Sequence, residues 1–497
     1  MDAVYLRPLA RGSRRCGKDL AARGEAKMLT PAGMLRYSYP GMNEQEYRGL
    51  ARNLHAWEKS LLEVCDLYLV GGTVRDMLLG TPESSLDDDY LVAGIEVGEL
   101  VSRLGRFGKL NLVGKSFGVI KFTPPSDKTV DVSLPRTEFS TGVGHRDFSV
   151  QFDPQLPIEK DLERRDYTIN SMALHLGTGS IVDPLGGKKD LENRLLRVNR
   201  RESFFEDPLR ILRGIQFMAR FGLTVEKETS DLMRLYRELL RSIAPERVRE
   251  ELNKMLVLAE KPSRGFLCMH NEGILELILP ELDSTYGEEQ NEYHPDDVFM
   301  HSLKTCDLAK RELHLRWSAL LHDVGKKEMK KVVDGRTVFY RHEEESARVA
   351  RDVLERLRYP RELQNKVASL IEHHMFNITE EWSDSAVRRF MVRAGENNLD
   401  DLLALREADG LSRGDASVKA QNEMIRARFE RVLASEAALK IKDLAVGGRE
   451  VMETLGIGPS PEVGEILQKL LEVVLENPEY NTRERLTELV RDFRKKN

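Results

Sequence analysis

Two aspartates one residue apart, Asp87 and Asp89, lie in Leu86-Asp87-Asp88-Asp89-Tyr90-Leu91-Val92. The flanking residues favour a strand, on which i and i+2 point to one face. Carboxylates held side by side repel unless a cation sits between them. An all-oxygen ligand set suits Mg²⁺ carrying a nucleoside triphosphate. Asp88 then points the other way, to solvent. Asp131, in Val130-Asp131-Val132, lies in another strand-like run and can add a third carboxylate. Taken alone, the pair reads more readily as an acidic surface turn. The upstream stretch Leu69-Val70-Gly71-Gly72-Thr73-Val74-Arg75-Asp76 favours the metal. Paired glycines let backbone approach a phosphate without Cβ interference. A helix starting there offers unpaired N–H groups, Thr73 a hydroxyl and Arg75 a cationic fork. Metal-held oxygens with in-line attack are what phosphoryl or nucleotidyl transfer needs.

A second set of residues lies downstream: His301, His322-Asp323, His342, His373-His374 and Asp409. A lone histidine on an apolar helix is usually a satisfied core group. Several histidines and aspartates spread over a helical region point instead to a shared site. Imidazole with carboxylate suits a transition metal or a mixed site.

These residues need two kinds of scaffold. Leu67–Gly72, Asp87–Ala93, Gly118–Thr123 and Thr129–Leu134 read as strands, and Thr73–Leu79 as a helix start. From Gly186 onward the apolar spacing is helical and strand signals almost vanish. The polar loop Asp283–Asp297 and the cluster Gly410–Ala416 read as breaks between helical regions. Residues 1–42 are Arg-rich and without periodicity, and read as a disordered extension. No run of eighteen apolar residues offers a membrane span. Four cysteines without CxxC spacing read as reduced thiols of a cytosolic protein. The net charge of −6 gives no hint of a polyanionic partner, yet Gly186–Glu250 holds 15 Lys+Arg against 11 Asp+Glu. An ordinary solvated helical surface would explain that excess too.

Further stretches carry a resemblance. Arg164-Arg165-Asp166-Tyr167-Thr168-Ile169-Asn170-Ser171-Met172-Ala173 is followed by Asp183-Pro184-Leu185-Gly186-Gly187-Lys188-Lys189-Asp190-Leu191. Glu206-Asp207-Pro208-Leu209-Arg210-Ile211-Leu212-Arg213 comes next. With the Gly-Gly and Asp segments, they resemble the head and neck motifs of the class II tRNA nucleotidyltransferase and bacterial poly(A) polymerase superfamily. The match covers about Leu67–Phe221, in the family's order. The resemblance implies catalytic Asp87, Asp89 and Asp131 with Mg²⁺. It implies nucleotide contacts from Gly71, Gly72, Thr73, Arg75, Arg136, Arg165, Asp166, Asn170, Asp207, Arg210 and Arg213. Asp207 and Arg210, three apart, would be neighbours on one helix face. A carboxylate accepts from an exocyclic amine while a guanidinium donates to a ring nitrogen. Cytosine and adenine both offer that arrangement and uracil does not. Arg136–Asp153 resembles the family's flexible loop, and its full length favours complete CCA addition.

The order of the downstream histidines and the His322-Asp323-Val324-Gly325-Lys326 context resemble the HD phosphohydrolase superfamily. That resemblance implies a divalent metal (Ni²⁺, Mn²⁺ or Mg²⁺) on His301, His322, Asp323, His342, His374 and Asp409. His374 is preferred to His373. It also implies hydrolysis of phosphoesters such as 2′,3′-cyclic phosphates.

The expected architecture is α+β: a head with a small mixed sheet at 43–185, then all-α segments. These are a neck and body at 186–290, an HD domain at 291–415 and a helical tail at 416–497. The expected partners are tRNA, CTP and ATP, with no membrane and no obligate protein partner. Poly(A) synthesis, CC- or A-only addition, and an RNA-binding phosphohydrolase with an inactive head remain alternatives.

Overall fold

Apolar residues on both sides of one short run set up the head. Leu67 and Leu69 pack on one face of the strand β1 (Asp66–Val70), Tyr68 and Val70 on the other. A strand buried on both faces reads as continuous apolar sequence and takes the centre of a sheet. The computed structural model describes residues 54–81, 88–113, 119–125, 128–140, 148–290, 296–379, 381–434 and 440–495. Asp87, residues 1–42 and residues 142–147 of the expected flexible loop lie outside the described residues.

The strands following β1 are β2 (Asp89–Ala93), β3 (Lys109–Val113), β4 (Val119–Thr123) and β5 (Val130–Ser133). After them come β6 (Arg136–Ser140), β7 (Phe148–Phe152), β8 (Ala173–His175) and β9 (Ile181–Val182). Seven of them form one sheet in the order β3-β4-β5-β2-β1-β8-β9. β2 and β5 run parallel and the other neighbours in this sheet run antiparallel, so the sheet is mixed. The main core covers one face with Trp57, Leu61, Tyr90, Val92, Phe122 and Val132. Trp57 meets the rings of Tyr90 and Phe122 edge-on. The Tyr90 hydroxyl donates to the buried Glu58 at 2.6 Å, satisfying both groups.

Contacts divide the chain into Met1–Phe139 with Val150–Glu192, and Ser140–Ser149 with Asn193–Asn497. The second unit is helical. Leu209–Phe221, Lys227–Tyr236, Pro245–Leu258 and Ser263–Asn271 come first; Val298–Leu308, Leu313–Leu321, His342–Arg356, Arg361–Glu372 and Leu399–Ser412 follow. Val418–Ala434, Gly448–Leu455, Pro461–Glu476 and Arg483–Lys495 complete it. Leu455, Ile466, Leu470, Val474, Leu486 and Val490 share a core, so the apolar stripe of Ile466–Leu475 packs inward.

Two expectations need correction. Strands do recur after Gly186: β10 (Leu195–Leu196) pairs with β11 (Thr224–Val225), and β12 (Lys331–Val333) with β13 (Arg336–Val338). They are too short to show a period of two. The Gly410–Ala416 cluster is not a break at its start, because the helix runs to Ser412. A Cβ on Gly410 would lie 2.8 Å from Val418 Cγ2, so this glycine lets the next helix pack closely.

Candidate active site and metal centre

The parallel pairing of β2 with β5 sets Asp89 directly opposite Asp131. Tyr90, Val130 and Val132 point into the main core, so the two carboxylates share the other face. Lys121 on β4 is the cross-strand partner of Asp131, and its Nζ lies 2.8 Å from Asp131 Oδ1. That hydrogen bond and charge, with Asp89 adding to them, raise the Lys121 pKa. An ammonium thus answers the field that would hold a metal cation. β2 begins at Asp89, so Asp88 of the expected strand lies outside it. Asp88 is half-buried, with Oδ2 3.5 Å from the Tyr90 hydroxyl, rather than solvated.

The Gly-Gly turn closes on the same strands. Gly71 has φ +67°, and a Cβ there would lie 2.6 Å from Arg165 Nη1. Only glycine admits the guanidinium so close. Thr73 accepts from the Asp89 backbone N–H at 3.1 Å, so it fixes the carboxylate strand. Arg75 is buried and donates to Asn170 Oδ1 at 2.6 Å and to Asp76 at 2.8 Å. Asn170 donates to Asp166 Oδ1, which also accepts from the Tyr167 N–H. Arg75, Asp166 and Asn170 are therefore one network behind the Gly71-Gly72 turn. The Arg136 N–H donates to Asp161 at 3.3 Å.

Asp161 is a buried organiser that sequence reading missed. It meets Arg164 at 2.6 Å and Arg165 at 3.2 Å. Burial opposes its charge, but Arg165, Arg164 and the Arg136 N–H outweigh burial and hold its pKa below the usual value. Its spacing three and four residues ahead of two arginines was the available signal. The Asp183–Leu191 motif proves to be scaffolding. Asp183 accepts from the N–H groups of Gly187 and Lys188, and Asp190 accepts from Thr168 at 2.6 Å.

In the second unit the expectation of Asp207 and Arg210 on one helix face does not hold. Asp207 is extended, with φ −137°, and Pro208 opens the helix Leu209–Phe221. Asp207 Oδ1 accepts from the Leu209 N–H at 3.2 Å, and Oδ2 lies 3.4 Å from Arg247. Arg210 is in the first helical turn, 3.6 Å from Glu206, which also holds Arg200 at 2.6 Å. Arg213, one turn on, lies over the Phe217 ring.

Five helical segments bring the downstream residues together. His301 Nε2 lies 3.2 Å from His322 Nε2, 3.1 Å from Asp409 Oδ1 and 3.4 Å from Asp323 Oδ2. His342 Nε2 is 3.2 Å from Asp323 Oδ1, and His374 Nε2 is 3.9 Å from it. Every outward nitrogen is engaged. His322, His342 and His374 direct Nδ1 at the carbonyls of Ala319, Phe339 and Ile371, and His301 at Ser412 Oγ. Nδ1–H donation leaves each Nε2 lone pair facing inward, as metal ligation requires. Asp323 Oδ1 and His342 Nε2 are buried without a hydrogen-bond partner, and a cation would satisfy both. The residues thus fit a divalent metal. Burial among neighbouring imidazoles pushes His374 down to about 3. Burial also lowers His301, outweighing the pull of Asp409 and Asp323. His373 is only half-buried and bonds the Ser369 carbonyl of its own helix. Lys326, which ends the His322–Lys326 stretch, pairs with Asp323 Oδ2 at 2.7 Å.

Sequence models of known families match this chain in the same order. The Poly A polymerase head domain matches residues 67–197, and the probable RNA and SrmB-binding site of polymerase A matches 222–286. A "Multifunctional CCA protein" of Xanthomonas campestris pv. campestris is 35% identical over 417 residues, 81% of this chain and 96% of the relative. The chain belongs to the CCA-adding family. Another member of that family, from Acidovorax sp., is 36% identical over 81% of this chain and 93% of its own length. The model of a putative tRNA nucleotidyltransferase domain 2 matches 337–490. The fold agrees with that of the Bacillus stearothermophilus CCA-adding enzyme solved with CTP. The TM-score is 0.64 at 23% identity, covering 89% of this chain and 99% of that one. A mixed-sheet head followed by a long helical part is the architecture of CCA-adding enzymes.

Proposed function

We propose that the chain adds C, C and A in turn to tRNA 3′ ends, from CTP and ATP and without a nucleic-acid template. The observation that carries this is the pairing of Asp89 with Asp131 beside the Gly71-Gly72 turn, in a member of the CCA-adding family. The terminal 3′-hydroxyl attacks the α-phosphorus and pyrophosphate leaves. Mg²⁺ on Asp89, Asp131 and Asp87 would acidify that hydroxyl and offset the charge of the leaving group. Gly71, Gly72 and Thr73 give the triphosphate a close backbone approach, and Arg165 adds a cation at the turn. Asp166, Asn170 and Arg75 orient the sugar and phosphates, and Arg136 adds charge nearby. Asp207 and Arg210 read the base edge from a bend ahead of the helix rather than from one helix face, and Arg213 supports them. Residues 186–290 act as the base-selecting, RNA-holding part, 291–415 as a metal-bearing bundle and 416–497 as the tail.

The test is extension of a tRNA lacking CCA, resolved at single-nucleotide length. Three added nucleotides, lost in Asp89→Ala, support the reading. A long A ladder would make the chain a poly(A) polymerase, and a stop after two C's a partial enzyme.

The imidazole–carboxylate cluster supports a second activity. His301, His322, Asp323, His342, His374 and Asp409 would hold a divalent metal that activates water. That water would hydrolyse a 2′,3′-cyclic phosphate or a terminal phosphate from a damaged tRNA end. Phosphate release with Ni²⁺, Mn²⁺ or Mg²⁺, lost in His322→Ala, is the expected result. An unchanged His322→Ala would count against it.

A further inference from the structure

Between Asp323 and His342 the chain leaves the helical bundle as the β12–β13 hairpin. Asp334 and Gly335 turn it with φ +50° and +75°, as a tight two-residue hairpin turn requires. The hairpin is a sheet of two strands only, and Lys331–Arg336 is exposed throughout. Such a ribbon is marginal by itself in water. Both its legs are tied to the metal cluster. On one side Lys326 bonds Asp323 and lies under the Phe339 ring. On the other, the Phe339 carbonyl accepts from His342 Nδ1.

Its surface is basic. Residues 326–341 hold six Lys and Arg against two Asp and Glu, within a chain of net charge −6. Lys327, Lys330 and Arg341 are engaged by Ser284, Glu288 and Glu344. Lys331 and Arg336 are in no ion pair among the described residues. The register Lys331↔Val338 and Val333↔Arg336 sets both cations on one face of the ribbon. Val333, on that same face, is 43% exposed, Tyr340 65%, and Met375, directly after His374, 62%. Unpaired cations interleaved with exposed flat and apolar side chains match single-stranded nucleic acid, which offers phosphates and stackable bases.

We propose that this hairpin, with Tyr340, is the arm that seats a single-stranded RNA 3′ end at the histidine–aspartate centre. Lys331 and Arg336 take backbone phosphates and Tyr340 stacks on a base near the terminus. The proposal rests on the hydrolase reading of that centre and makes its substrate an RNA end rather than a free mononucleotide.

Two measurements on the full chain test it. The first is phosphate release from a short single-stranded RNA with a 3′-terminal phosphate, with Ni²⁺ supplied. Lys331→Ala/Arg336→Ala and Tyr340→Ala should each raise KM about tenfold, with kcat changed less than about twofold. Lys331→Arg/Arg336→Lys should restore KM, and melting curves should show the variants folded. An unchanged KM overturns the arm. The second measurement needs no catalysis: the same RNA carries a photoreactive 3′-terminal nucleotide. Crosslinks should fall on the peptide Lys331–Arg341, and crosslinks only elsewhere overturn the proposal. If the unaltered chain releases no phosphate yet crosslinks there, the hydrolase reading fails and the arm stands.

Discussion

A buried carboxylate between two guanidiniums is stable only while all three are charged. Asp161 is in that position, with its folded pKa below the usual value. Such a group stabilises the head fully above the ordinary carboxylate range and loses that effect as pH falls through the lower folded value. Asp161→Asn should therefore flatten the acid limb of a pH–stability curve and destabilise the head by about 3–5 kcal/mol, as broken buried pairs do. Urea melts at neutral and acid pH would measure both. Asp207 has a different job. It is anchored by Leu209 N–H and Arg247, and in the proposed function it accepts from an exocyclic amine. Asp207→Ala should lower the preference for CTP and ATP over UTP by roughly 10²-fold while the protein stays folded. Competitive incorporation assays would read that ratio, and an unaltered ratio would remove Asp207 from base selection.

Elements decide what these residues can reach. Gly71→Ala would force a Cβ against Arg165 at a backbone angle that L side chains rarely adopt, costing about 1–3 kcal/mol. Its expected signature is a raised KM for both nucleotides, visible in initial-rate kinetics. Gly410→Ala should cost about 1–3 kcal/mol by overpacking against Val418, read as a lower Tm of the second unit. The strands of the head were legible because β1 is apolar on both faces and β4 alternates. The Asp89–Asp131 pairing was not, since register between strands distant in sequence leaves no local periodicity. Asp207 was misplaced because helical spacing continues through Pro208, although proline at a helix start disfavours the helical region just before it. The histidines were legible as a set because they stand in or directly after apolar helices, where a buried polar group needs a reason. The engagement of every Nδ1, which makes the set a ligand cage, depends on packing alone.

At the scale of the molecule, the two units carry side-chain clusters of different donor chemistry, carboxylate in the first and imidazole with carboxylate in the second. Binding to the folded state alone stabilises by about 2.7 kcal/mol at a hundredfold excess over Kd. Titrating Ni²⁺, which favours imidazole over an all-carboxylate site, should raise the melting transition of the second unit more than that of the head. In His301→Ala/His322→Ala the shift of the second unit should vanish, and calorimetry would show whether it does. The order of residues along the chain has a consequence for biosynthesis. Asp89 and Asp131 both belong to the first unit, so the head can assemble as soon as residue 192 has emerged. The second centre waits for Asp409, on the helix Leu399–Ser412. Until that helix leaves the ribosome, His301, His322, His342 and His374 stand without their last carboxylate. A premature stop between His374 and Asp409 would leave a newborn chain whose head is whole and whose second cluster lacks one of its two carboxylates.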